Sequence, residues 1–183
     1  MKILKLTALF LLSILIVSTS GCVTVTGEMN PEKSSYESES KATPDNKLFQ
    51  NVRINQVEGF VGTSAFALAG KTSPNLTNET ARTAVENTLK TANLFNDKGS
   101  YLLDIKVVED GSRGYWAVGD PGYRTTEINY KLVSDSQTLY DKDIETEGRS
   151  DGMFAYYLIE REAAEQAMRR NLKELVDDLL AID

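Results

Sequence analysis

Histidine is missing from this 183-residue chain, and cysteine occurs once, as Cys22. Without histidine no Ser–His–Asp or Cys–His nucleophile can be assembled, and most metal sites lose their commonest nitrogen ligand. A lone cysteine excludes an intramolecular disulfide. Basic residues are outnumbered 20 to 27, a formal net charge of −7. A phosphate backbone selects the opposite balance, so no nucleic-acid partner is expected. Residues 109–123 are glycine-rich, but they lack the Lys-Ser/Thr ending of a phosphate cradle and no helical pattern follows. The composition therefore implies no cofactor and no metal, and it reads as a protein that is not an enzyme. Length allows one domain plus extensions.

What is present begins with an address. Lys2 and Lys5 precede an apolar run from Leu6 to Val17, 12 residues long, and small residues follow. That is the layout of a secretory signal, and the run is short of the roughly 20 apolar residues a permanent membrane span needs. Cys22 comes directly after Thr19-Ser20-Gly21. These four residues resemble the lipobox of bacterial lipoproteins, an aliphatic residue, two small residues and cysteine, with Thr19 departing from the usual leucine. The resemblance implies cleavage before Cys22 and acyl chains on it, which would be the chain's membrane partner. Two or more acyl chains give stable anchoring where one does not. Val23 and Thr24, in place of the aspartate that retains such proteins in the inner membrane, imply the outer membrane, facing the periplasm. An ordinary cleaved signal with a chance cysteine, or an uncleaved anchor, is the alternative.

Removal of residues 1–21 takes two lysines and no acids, leaving 18 basic against 27 acidic residues, a net of −9. Acyl chains rather than overall charge must then supply membrane affinity. From Val23 to Asn46 the chain is rich in Ser, Glu and Lys, the composition of a linker. Three parts are expected: a signal at 1–21, a lipidated cysteine with a flexible tether at 22–46, and one folded domain at 47–183.

Within 47–183 the periodicities change in order. Phe49, Val52, Ile54 and Val57 mark a strand, and residues 60–69, apolar but small, fit a weak strand or an irregular packed segment. Ala81, Ala84, Val85, Thr88, Leu89 and Ala92 recur at helical spacing over Thr77–Ala92, with Thr77 or Asn78 as cap and Glu79 in the first turn. Alternation then predicts strands at Tyr101–Val108, Thr125–Val133 and Tyr140–Glu147. A last stripe, Tyr157, Ala164, Met168, Leu172, Leu175, Leu179 and Ile182, predicts a long amphipathic helix. The fold class is α+β: a two-layer sandwich with an antiparallel sheet of about four strands and two helices on one face.

The connection from Glu109 to Tyr123 carries four glycines and the only tryptophan. Arg113, Tyr115, Trp116 and Tyr123 are the candidate binding residues, because aromatics and arginine on a loop serve as contact anchors. The rival reading has Tyr115 and Trp116 folding back on the core. Asp141, Asp143, Glu145 and Glu147 form an acidic row read as a solvated strand face, since calcium needs 6–8 oxygens wrapped around it. Asp104, Glu109, Asp110 and Asp120 offer carboxylate pairs of the kind glycan-cleaving enzymes use.

The strand–helix–strands–helix plan, with strands Tyr101–Val108 and Thr125–Val133 and a closing helix that includes Glu165–Leu172, is similar to small outer-membrane envelope-assembly lipoproteins. The lipopolysaccharide-assembly lipoprotein is one, and lipoprotein activators of cell-wall synthases are another. That likeness concerns architecture and transfers no functional residue. It implies a non-catalytic accessory protein binding an envelope protein or an amphiphile such as a glycolipid. The alternative is an envelope enzyme acting on cell-wall glycan through carboxylates.

Overall fold

The computed structural model describes residues 28–66, 71–113, 122–135, 137–151 and 156–182. In chain order these form α1 (Pro31–Ser34), β1 (Val52–Glu58), β2 (Val61–Phe66), β3 (Lys71–Thr77), α2 (Asn78–Thr91), β4 (Tyr101–Arg113), β5 (Gly122–Ser134), β6 (Gln137–Ser150) and α3 (Tyr156–Leu180). The main sheet has the order β1-β4-β5-β6, and β2 and β3 pair separately as a two-stranded ribbon.

The α+β class and the helix-on-sheet layering are as the sequence predicts. The sheet, however, is mixed rather than antiparallel, because β1 runs parallel to β4 with Val52 opposite Tyr101 and Val57 opposite Ile105. Parallel neighbours need a crossover connection, and α2 lies in the segment that makes it. The β4–β5 and β5–β6 pairs are antiparallel, as expected. Residues 61–66 form a strand that pairs with 71–77.

Burial follows the two periods. On β5, Arg124, Thr126, Ile128, Tyr130 and Leu132 face inward and the intervening residues face outward. Val52, Leu103, Ile105 and Ile144 join them from the other strands, and Ala81, Ala84, Val85, Leu89, Met168, Leu172, Leu175 and Leu179 close the same core from the helices. Thr77 caps α2, its side chain accepting from the Thr80 N–H at 3.1 Å. Gly148 lies so close to α3 that a Cβ there would collide with the Ala163 carbonyl and the Ala167 amide.

The expected tether is corrected. Residues 1–27, Cys22 included, lie outside the described residues, but 28–46 pack on the helical layer. Met29 and Ala42 are 2% and 4% exposed. The Asn30 N–H donates to Glu165 Oε1 at 2.9 Å, the Tyr36 N–H to Thr88 Oγ1 at 2.9 Å, and the Ala42 N–H to the Ala92 carbonyl at 2.9 Å. The segment's backbone is thus satisfied by helix residues far along the chain, which its local composition does not reveal.

Candidate functional site

Of the candidate residues, Arg113 and Tyr123 fall at one end of the sheet. Arg113 and Tyr123 are strand residues rather than loop residues, because β4 runs five residues beyond Val108 and β5 begins three before Thr125. Tyr115 and Trp116 lie outside the described residues. Register places Arg113 opposite Tyr123 and Tyr123 opposite Arg149, so three adjacent strands carry them in one row. The Arg149 guanidinium sits 5.7 Å from the centre of the half-buried Tyr123 ring, within cation–π range. It also pairs with Asp151 at 2.7 Å. That hydrogen bond, with the charge of Asp151, raises the Arg149 pKa above its ordinary value. Sequence reasoning missed Arg149; the alternation on β6 would have put it on the outward face, but only the register brings it beside Tyr123.

Helix α3 secures this end. The Arg149 N–H donates to Gln166 Oε1 at 3.4 Å, and Arg170 Nη1 donates to the Glu147 carbonyl at 2.6 Å, so helix side chains occupy edge groups of β6. Beneath the row, on the inner face, Arg124 and Glu160 are 2% and 4% exposed. Both are polar groups in the helix–sheet layer, and both were missed, although Arg124 occupies an inward position of the β5 alternation. Deeper in, the Tyr130 hydroxyl donates to Asn171 Oδ1 at 2.7 Å, and Asn171 Nδ2 donates to the Ile144 carbonyl at 2.7 Å.

The carboxylates are distributed differently. Asp104 accepts from Asn55 Nδ2 at 2.7 Å on the solvent side of the sheet. Glu109 stands opposite Glu127, and Glu127 opposite Glu145, an acidic row across three strands on that same open face. The side chains of Asp110 and Asp120 are outside the described residues. Asp141 and Asp143 both accept from Asn129 Nδ2, at 3.1 and 2.7 Å, and Lys131 lies 3.5 Å from Asp141. Among the described residues no group of His, Cys, Asp or Glu is arranged to hold a metal ion.

The helical layer has its own clefts. An open groove of about 340 Å³ is lined by Tyr36, Gln166, Arg169, Arg170 and Lys173. Lys173 pairs with Asp177 at 2.5 Å and sits 5.9 Å from the Tyr36 ring. A larger open cleft of about 690 Å³ lies where the described chain begins, between Glu28, Met29, Thr80 and Arg161. Among the described residues no helix is long and apolar enough to cross a membrane.

No protein-family model and no curated protein matches this sequence. Solved structures do share its fold. One is a DUF330-family protein from Xanthomonas campestris, 16% identical, with a TM-score of 0.52 over 77% of this chain and 90% of that one. Another is a candidate lipoprotein from Caulobacter crescentus CB15, 10% identical, with a TM-score of 0.50 over 74% of this chain and 91% of that one. At these identities the likeness establishes the fold. It is a fold that at least one candidate bacterial lipoprotein also adopts.

Proposed function

We propose that this chain is a lipoprotein held in the outer membrane by acyl chains on Cys22, facing the periplasm. Its domain binds an envelope protein or an amphiphilic envelope ligand and catalyses no reaction. The anchoring rests on Thr19-Ser20-Gly21-Cys22 behind a short apolar run, and the fold shared with a candidate lipoprotein supports it. The observation that carries the binding role is the row Arg113, Tyr123 and Arg149 at the ends of three paired strands. Arginine and tyrosine dominate the energetics of protein contacts, and the paired strands bring their backbone positions into one row before a partner arrives. Of the four candidate carboxylates, the two whose side chains are described favour binding over glycan cleavage. Asp104 and Glu109 lie on an open sheet face rather than converging in a cleft that could exclude water.

The test has two parts. Growth on a labelled fatty acid should label the wild-type chain and leave Cys22→Ala unlabelled; an unlabelled wild type would overturn the anchoring. A photocrosslinker at position 123 in intact cells should capture one reproducible species, and Arg149→Glu should lower its yield. Glycan cleavage by the purified chain, lost in Glu109→Gln, would overturn the binding role.

A further inference from the structure

Basic side chains gather on one face of α3. Gln166, Arg169, Arg170 and Lys173 follow the i, i+3, i+4, i+7 spacing of a single helical face, and with Tyr36 they line the open groove of about 340 Å³. Arg169, Arg170 and Lys173 are all exposed, a local excess of cations in a chain with 27 acids against 20 bases. Arg170 donates to the Glu147 carbonyl, a neutral acceptor that leaves the guanidinium charge undivided. Two acids of the same helix are engaged elsewhere: Glu165 accepts the Asn30 N–H and lies 3.7 Å from Arg161, and Glu162 accepts from the Ser150 hydroxyl. Asp177 pairs with Lys173, and the charge of Glu39 also reaches that ammonium. The half-buried Tyr36 ring lies 5.9 Å from the same ammonium, so the ring and the aliphatic stems of the basic residues offer apolar surface beneath charged tips.

The chain also limits how far this groove can stand from the anchor. Cys22 precedes Asn30 by eight positions, about 28 Å of fully extended backbone at most. Asn30 is bonded to Glu165, which lies one helical turn, about 6 Å, from Arg169. Resting on the acylated-Cys22 reading, we infer that this groove holds the phosphate of an anionic phospholipid headgroup from the membrane in which the acyl chains lie. The two guanidinium forks match phosphate oxygens in pairs, and the Lys173 ammonium adds a point charge. The groove's volume sits at the lower end of the roughly 300–1,000 Å³ that small-molecule sites occupy, so it takes the headgroup and leaves the lipid's chains in the bilayer. Exposed cations in an open groove bind a dilute anion weakly. A leash this short changes the balance, because it presents the headgroups at high effective concentration. Overall negative charge does not oppose the contact, since screening confines each charge to about 10 Å.

The experiment is native mass spectrometry of the full, acylated chain released from neutral maltoside micelles, with dioleoylphosphatidylglycerol or dioleoylphosphatidylcholine as the added lipid. The wild type should retain phosphatidylglycerol roughly tenfold or more over phosphatidylcholine. Arg169→Gln and Lys173→Gln should each lower that retention roughly fivefold, about what one basic residue contributes at an anionic surface. Lys98→Gln, in the turn before β4, should leave it unchanged. Equal retention of the two lipids, or retention of phosphatidylglycerol unaltered in Arg169→Gln, would overturn the headgroup site and leave the anchor standing. Displacement of the lipid by an equimolar hexapeptide of glutamates would overturn it in favour of an acidic protein segment, and displacement by equimolar inorganic phosphate in favour of the free anion. The same spectra weigh the chain, so a mass without acyl groups would overturn the anchoring itself.

Discussion

Tyr130 and Asn171 meet in the middle of the core, both 0% exposed, with the phenol donating to the side-chain carbonyl at 2.7 Å. Asn171 turns its amide to the Ile144 carbonyl, also at 2.7 Å, so one α3 side chain links β5 and β6. Asn171→Ala leaves a hydroxyl and a carbonyl unsatisfied out of reach of water, and it should cost about 2–3 kcal/mol. Tyr130→Phe should cost about 1 kcal/mol, and the double variant less than the sum. Urea unfolding measures all three.

The pH limits of stability follow from two tyrosines and an aspartate. Burial is the largest influence on Asp178 and pushes its pKa up. The hydrogen bonds from Lys142 and Tyr140 and the Lys142 charge outweigh it, so the folded carboxyl lies below its ordinary 3.8. A depressed folded value means stability that is complete above that ordinary value and is lost as pH falls through the folded one. Tyr140→Phe, which removes a 2.7 Å hydrogen bond to Asp178, should shrink this acid-side slope. At the other end, burial raises both Tyr130 and Tyr140 above 10, in Tyr140 with help from the Asp178 hydrogen bond. Their contribution is complete below pH 10 and falls away as the unfolded phenols ionise. Phenolate absorbance from these two should therefore appear only with unfolding.

The packed N-terminal segment makes a prediction that a free tether would not. Met29 is 2% exposed, and Met29→Ala should cost about 2 kcal/mol or more. A loss within the error of a denaturation curve would return residues 28–46 to the tether.

Glu127 stands between Glu109 and Glu145 on neighbouring strands. Like charges directly opposite one another are destabilising, so Glu127→Lys should stabilise the domain by about 0.5–1 kcal/mol. The gain should shrink in high salt. Melting temperatures at low and high ionic strength check both parts.

Gly148 is held against the backbone of α3 at Ala163 and Ala167. Gly148→Ala must push the helix off the sheet, so it should cost about 1–3 kcal/mol. A separation of α3 from β6 should show as faster hydrogen exchange at the amides of both.

Amphipathic periods were enough to place α2, α3 and the three antiparallel strands, because burial of one face is written locally at spacings of two or about four residues. The hydroxyl cap at Thr77 and the Glu86–Lys90 pair, 2.6 Å apart, are local in the same sense. The candidate site was half legible. Arg113 and Tyr123 could be singled out by residue type, but Arg149 could not be joined to them, because a register between distant strands leaves no trace in any short window.

Alternation, helical spacing and the Cys22 signal are properties of neighbouring residues, so the sequence alone determined the α+β class, the inward-facing residues and the expected anchor. Only the tertiary structure decided that β1 lies parallel to β4, that residues 28–46 belong to the domain, and that Glu28 meets the base of the ribbon. Each of these depends on hydrogen bonds between segments tens of residues apart. Their partners are chosen by which surfaces remain uncovered after the local elements have formed.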